Sequence, residues 1–427
     1  MEAGGDAGMP IKKINRIKRE AYLMSKQGIN RREFLGKTAA GIIAAPLGFS
    51  PLGRGKVKTE DRIITRTLGR TGLRIPVVSF GVMNSDSAEL IHRALDRGIN
   101  HLDTAHGYLR GNSERVIGEV LQDRGKRDKV YVATKMRFAR DRKTGLFIEA
   151  GSEQEPGATP ENLFRQLEIS LQRLRTDYVD ILYLHSCSKP AMVNHEPLMK
   201  ALVKAKEQGK ARFIGISTHS DEPNVIRASV DAGIYDVVLT TYNFAQEHRE
   251  EVKTAIAYAA GKGVGIIAMK TQGGRRLQEK GEIEINHAAA LKWVLSDENV
   301  CTTIPGMTAF EQLDHNLGVM GNMALTPAES RDLQLASLLP GKMFCQNCRS
   351  CVPTCPHAVE VPTLIRAYMY TQGYGNRPQA EDVLSRLPRE QGLNTCRACD
   401  ACVAACRHGI NIGGRVRTLL ADGLVAV

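Results

Sequence analysis

The chain has 427 residues, of which 42% are hydrophobic and 24% charged, and a formal net charge of +12. That length suits two or three domains, and the ordinary apolar content excludes an intrinsically disordered chain. Residues 1–62 hold 13 Lys and Arg against 6 Asp and Glu, so most of the excess charge sits at one end and a nucleic-acid-binding reading weakens. No run of 18 or more apolar residues offers a conventional membrane span.

The first segment reads as an address. Asn30-Arg31-Arg32-Glu33-Phe34-Leu35-Gly36-Lys37 is followed by the moderately apolar Thr38–Ala45, in the order of a twin-arginine export signal. A basic amphipathic helix or a disordered arm is the plainer alternative. The signal reading predicts residues 1–50 as signal and lead segment and 51–61 as linker. It implies a folded protein handed to the twin-arginine machinery, with a periplasmic or other extracytoplasmic destination. Ala44-Ala45-Pro46 is a poor cleavage site, so the only expected membrane contact is through a signal left uncleaved.

From Arg62 the pattern becomes short β-branched runs, each followed by an amphipathic stretch. The expected strands are Val77–Phe80, Ile99–Leu102, Val130–Ala133, Tyr178–Leu184, Phe213–Ile216, Asp236–Leu239, Val264–Ala268 and Thr302–Ile304. The helices that follow them are Ser87–Arg97, Ser113–Gln122, Leu163–Leu174, Leu198–Gln208, Asn224–Ala232, Glu250–Ala260, His287–Leu295 and Ala309–Leu317. Eight such units over residues 62–325 predict an α/β fold, a (β/α)8 TIM barrel. An open doubly wound sheet is the runner-up, but no Gly-x-Gly-x-x-Gly turn follows the first strand. Arg137–Pro160, the longest irregular stretch, is a candidate active-site loop. Residues 326–342 are expected to form a connecting helix and 343–427 a small α-rich domain.

In a barrel the C-terminal strand ends carry the chemistry. Here they offer Asp103 and Tyr108 after the second strand, Lys135 after the third and His185 after the fourth. Singly, each has a dull explanation as a turn cap, a solvated charge or an interior histidine. On successive strands of one rim they form a proton-transfer group. Carbonyl reduction needs a hydride at carbon and a proton at oxygen. An ammonium beside a phenol favours the phenolate, a carboxylate fixes the ammonium, and a neutral imidazole orients the substrate oxygen.

These residues carry a resemblance to the aldo-keto reductase superfamily. Leu102-Asp103-Thr104-Ala105-His106-Gly107-Tyr108, with Gly111-Asn112-Ser113-Glu114, is similar to the family's Asp-Thr-Ala-x-x-Tyr signature. Thr134-Lys135 resembles its lysine strand, Asp180–His185 its histidine strand, and Leu68–Pro76 its leading hairpin. The resemblance implies Tyr108 as general acid, Lys135 as its modulator, Asp103 as the lysine's anchor and His185 as carbonyl orienter. It implies NADP or NAD as cofactor and a small carbonyl or alcohol as substrate. The cofactor residues it suggests begin with Gly81 and Met83, then Ser217 and Thr218 for the carboxamide and Tyr242 for stacking. Lys270, Gly273, Gly274, Arg275 and Arg276 would meet the pyrophosphate, and Gly306, Gln312 and Asn316 the adenosine end. Gly306 and Gln312 replace charges common in NADP-preferring members, which leaves Arg275 and Arg276 as the remaining 2′-phosphate candidates.

Eight of the ten cysteines lie between Cys345 and Cys406. Cys345-x2-Cys348-x2-Cys351-x3-Cys355-Pro356 matches the bacterial ferredoxin run for a [4Fe–4S] cluster, and Cys396-x2-Cys399-x2-Cys402-x3-Cys406 repeats its spacing. Structural zinc, the alternative, more often uses two separated Cys-x2-Cys pairs. By likeness to two-cluster ferredoxins, each fourth cysteine would serve the other cluster. Cys345, Cys348, Cys351 and Cys406 would then share one cluster, and Cys396, Cys399, Cys402 and Cys355 the other. The combined expectation is an exported NAD(P)-linked oxidoreductase whose clusters relay electrons to or from a redox partner protein. The alternative is an electron-transfer subunit of a membrane-associated redox complex with the barrel as scaffold.

Overall fold

A computed structural model describes residues 63–427 apart from Lys126, 142–143, 153–154, 274–284, 338–344 and 425–427. The expected signal and linker, with Arg31 and Arg32, lie outside the described residues. The chain divides into Met1–Lys58 and Thr59–Val427, and the second unit holds every element that follows.

A hairpin of β1 (Thr65–Thr67) and β2 (Arg74–Pro76) precedes a parallel sheet of β3 (Phe80–Gly81), β4 (His101–Asp103), β5 (Tyr131–Met136), β6 (Val179–Leu184), β7 (Ala211–Thr218), β8 (Val237–Thr241), β9 (Gly265–Met269) and β10 (Thr302–Thr303). Sequential neighbours pair throughout. The last strand returns to the first through parallel bridges Val78↔Thr303 and Gly81↔Gly306, with Gly81 N donating to Pro305 O at 3.1 Å. A Cβ on Gly81 would stand 2.6 Å from the Ile304 carbonyl, so closure at this seam needs glycine. The sheet is thus a closed (β/α)8 barrel, as the repeated strand–helix pattern predicts.

Strand alternation sorts the core into two layers. Inward residues such as Ala133, Ile181, Tyr183, Val237, Leu239 and Ile267 pack together inside the barrel. Their neighbours Val132, Leu182, Val238 and Ile266 face outward and meet the helices. Leu68, Leu73 and Ile75 of the hairpin join the inner cluster, and Arg70 N donates to Gly263 O at 2.6 Å, so the hairpin plugs the end where the strands begin. The opposite end is left for chemistry.

The helix Pro327–Ser337 packs on His287–Leu295, with Lys292 Nζ 2.7 Å from Glu329 Oε1. The cysteine-rich region folds around helices Val361–Tyr368, Arg377–Ser385, Leu393–Arg397 and Ile412–Ala421, with its own core including Leu364, Leu384, Ile412 and Leu419. It docks on the C-terminal rim of the barrel. Asn376 Nδ2 donates to Asn84 Oδ1 at 2.7 Å, Asn347 Nδ2 to Ser220 Oγ at 2.6 Å, and Arg110 pairs with Glu381 at 3.0 Å. Among the described residues no helix is long and apolar enough to cross a membrane.

Candidate active site and cysteine centres

The rim brings the four expected side chains together. Asp103 ends β4 and Lys135 lies in β5, one strand over, and both are almost wholly buried. The Lys135 ammonium bonds the Asp103 carboxylate and donates to the Thr104 carbonyl at 2.6 Å. Its Nζ lies 5.0 Å from the centroid of the Tyr108 ring. His185, just past β6, meets that ring edge-on with centroids 5.8 Å apart.

Tyr108 is aimed by the residues behind it. Gly111 has φ +86° and faces the Arg173 guanidinium so closely that a side chain there would collide. Ser113 Oγ donates to Val82 O at 2.9 Å and Glu114 accepts from Thr134 Oγ1 at 2.7 Å. Arg173 joins Glu114 at 3.2 Å and the His106 carbonyl at 2.8 Å. The Gly-Asn-Ser-Glu motif is therefore a brace for the tyrosine turn. Leu109 and Arg110, with φ 50° and 54°, adopt the left-handed backbone that few side chains accept.

Electrostatics fix the protonation states. Burial pushes Asp103 up and pulls Lys135 down, each opposed by the partner's charge. Burial, then the cations Lys135, Arg137, Arg140 and Arg386, hold His185 well below the usual imidazole range, so it is neutral. The Tyr108 phenol departs from the expectation of a lowered pKa. Burial and then the Asp103 and Tyr370 charges raise it against the opposing charge of Arg137, which keeps the proton on its oxygen.

The cofactor expectations fare unevenly. Tyr242 shares the outward phase of Val238, and its ring packs 5.0 Å from Trp293 in the layer between barrel and helices. Thr218 gives its hydroxyl to Ser220 O at 2.9 Å, while His219 and Thr241, 3.3 Å apart, meet beside the rim and the His219 ring centroid lies 6.5 Å from that of His185. Ser217 Oγ accepts from Ser186 N at 2.8 Å. Gln312 accepts from Thr308 N at 2.7 Å at the start of its helix, and Asn316 accepts from Gln272 at 2.9 Å, tying the loop after β9 to that helix. Met83 and Gly306 lie at the rim, Met83 partly exposed and Gly306 exposed. Lys270 and Gly273, with φ 55° and 71°, form the turn after β9. Gly274, Arg275 and Arg276 lie outside the described residues. Buried Thr271 Oγ1 and Asn243 Nδ2 find no hydrogen-bond partner among the described residues, and polar atoms so placed fit a dinucleotide lying across these loops.

The eight cysteines fall into two groups. Burial, then the charges of Cys345, Cys406 and Cys348, push the Cys351 thiol up to about 11. Burial, then Cys355, Cys399 and Cys402, push Cys396 up to about 11. Each fourth cysteine thus acts electrostatically on the opposite run. Asn347 N donates to Cys345 Sγ at 3.4 Å, and a Cβ on Gly413 would stand 3.0 Å from Cys402 Cβ, so glycine keeps room at the second group. Among the described residues no group of three or more His, Cys, Asp or Glu is disposed to hold a single metal ion. Two sets of four thiols suit two iron–sulfur clusters, whose positive iron would relieve the crowded negative charge.

Closed barrel, leading hairpin and the Asp–Lys–Tyr–His rim define an aldo-keto reductase architecture. Residues 78–289 match the aldo/keto reductase family and residues 344–410 the 4Fe-4S dicluster domain. The chain therefore carries an aldo/keto reductase domain followed by an iron–sulfur domain. It is 30% identical to aldo-keto reductase AMT2 of Alternaria alternata, the match covering 48% of this chain and 64% of that protein. It thus spans just under two thirds of that relative's length. L-galactose dehydrogenase of Arabidopsis thaliana is 27% identical over 65% of this chain and 92% of its own. The holo structure of aldo-keto reductase AKR11C1 from Bacillus halodurans superposes with a TM-score of 0.51 at 25% identity, covering 64% of this chain and 95% of that one.

Proposed function

We propose that the chain is an NAD(P)-linked oxidoreductase interconverting a carbonyl and an alcohol, with two [4Fe–4S] clusters passing electrons to or from a partner protein. The buried Asp103–Lys135 pair beneath Tyr108 and beside His185 carries this reading. A scaffold gains nothing from an ion pair so buried, because desolvating two charges costs several kcal/mol per ion.

The protonated Tyr108 hydroxyl gives its proton to the carbonyl oxygen, and the neutral His185 ring hydrogen-bonds the same oxygen to fix its direction. Asp103 holds Lys135 in register below. Bound nicotinamide supplies the hydride, held by Ser217 and the loops of Asn243, Thr271 and Gly273. The hydride carries both electrons of that interconversion, so the clusters, which would carry one electron each, would serve exchange with the partner protein rather than feed the carbonyl directly. Cys345, Cys348, Cys351 and Cys406 would hold one, and Cys396, Cys399, Cys402 and Cys355 the other.

Anaerobic, cluster-loaded protein titrated with NADH and NADPH against a panel of carbonyls and alcohols tests the assignment. Nicotinamide binding with turnover is expected; no binding at millimolar cofactor overturns it. Iron and sulfide should each reach about eight per chain. Stoichiometric zinc would overturn the cluster assignment. We further propose twin-arginine export, which Arg31→Lys with Arg32→Lys should abolish in cell fractionation.

A further inference from the structure

Guanidinium groups crowd the reacting atoms. Arg140 Nη2 donates to the carbonyls of His185 and Ser186 at 3.0 and 2.8 Å, which sets it against the orienting histidine. Arg386 comes from the cysteine domain and reaches Gly107, next to Tyr108, where a Cβ would stand 3.5 Å from its Nη2. Asp382 holds Arg386 through both oxygens at 2.7 Å. Glu155 lies between Arg137 at 3.2 Å and Arg386 at 3.7 Å. Arg366, also from the cysteine domain, acts electrostatically on Arg140 and Tyr370.

Among the described residues Glu155 pairs with both Arg137 and Arg386 and Asp382 pairs with Arg386, while no ion pair sets a carboxylate on Arg140. The Nε atoms of Arg137 and Arg140 are shut from solvent without a hydrogen-bond partner among the described residues. Buried cationic donors left unmatched are costly, and a planar guanidinium fits a carboxylate or phosphate best. Docking uses the bridge from Arg386 to Glu155 but leaves the Nε atoms of Arg137 and Arg140 unmatched.

We propose that Arg137, Arg140 and Arg386 receive the oxyanion of an anionic substrate, a carbonyl or alcohol bearing a carboxylate or phosphate. The cysteine domain then supplies part of the substrate site as well as the clusters. Bound there, the anion anchors one end of the substrate and leaves the reacting carbon between Tyr108 and His185. This rests on the carbonyl–alcohol reading. Burial and repulsion among the arginines lower Arg137 and Arg140, as expected of a cation cluster awaiting an anion.

Two matched pairs, 4-carboxybenzaldehyde against benzaldehyde and glyceraldehyde 3-phosphate against glyceraldehyde, separate carboxylate from phosphate recognition. Calorimetric titration of benzoate and inorganic phosphate into the cluster-loaded protein gives a readout independent of turnover. We expect a preference in kcat/KM for one charged probe. Arg137→Gln and Arg386→Gln should each cut that preference about tenfold or more and weaken the corresponding anion to match, consistent with loss of a charge-assisted hydrogen bond. Iron content identifies a variant that has lost its cysteine domain's fold, and the barrel-side Arg137→Gln then decides. No anion binding and no charge preference in the unaltered protein, or a preference untouched by both substitutions, overturns the proposal. Arginine-dependent anion binding without any carbonyl turnover would instead sink the carbonyl–alcohol reading and leave the anion site standing.

Discussion

Lys135 Nζ sits 5.0 Å from the centre of the Tyr108 ring while bonded to the carboxylate of Asp103, so the phenol rests on an ion pair rather than on a lone cation. Removing each member should therefore fail differently. Tyr108→Phe loses the proton donor and should cut carbonyl reduction by about 10²–10⁴ while nicotinamide still binds. Asp103→Asn strands the Lys135 charge in the interior and should also cost about 3–5 kcal/mol of stability. Paired turnover assays and denaturant melts check both; a fully stable Asp103→Asn protein would contradict the buried-pair assignment.

His185 is held neutral by burial and by surrounding cations, so its ordinary titration should be missing from the kinetics. With its pKa below the usual 6.5, the imidazole stays uncharged as pH falls through that range. We expect kcat/KM for carbonyl reduction to show no acid limb near pH 6.5. Removing a cation by Arg140→Gln should move any acid limb upward, which a pH profile of both proteins would reveal.

Much of this was legible in the chain because it is local. Strand runs, the Asp103-to-Tyr108 spacing and the position of Lys135 depend on neighbours a few residues away, and barrel topology turns strand ends into a rim. The setting of Tyr242 was not legible, because a strand's alternation continues past its end, sending residue 242 outward with Val238 and residue 241 inward. Arg366, Tyr370 and Arg386 carried no local signal at all. They reach the rim only because a separate core docks there through contacts such as Asn347 to Ser220 and Asn376 to Asn84, more than a hundred residues apart.

The grouping of thiols predicts which cluster each fourth cysteine serves. Cys406 acts electrostatically on Cys351 together with Cys345 and Cys348, and Cys355 on Cys396 together with Cys399 and Cys402. Cys406→Ser and Cys345→Ser should perturb the same electron paramagnetic resonance signal of the reduced protein, and Cys355→Ser and Cys396→Ser the other. If Cys406→Ser instead matches Cys396→Ser, each run holds its own cluster and the crossed arrangement is wrong.

His101 opens β4 inside the barrel, wholly buried, with neither ring nitrogen hydrogen-bonded among the described residues. Burial, and secondarily the Lys135 charge, pull its pKa down to about 3. Unfolded, the same imidazole titrates near 6.5, so between these values the unfolded chain binds the extra proton. Stability from this residue is thus fully present above pH 6.5 and drains away as pH falls toward 3, at about 1.4 kcal/mol per pH unit. His101→Leu removes the titrating group and fills the space with carbon. Melts at pH 7.5 and pH 5 should show the variant losing about 2 kcal/mol less than the parent over that interval. Comparing the two losses cancels the acid sensitivity of the clusters common to both proteins. Equal losses would mean that His101 is solvated or partnered in the folded protein, contrary to its burial.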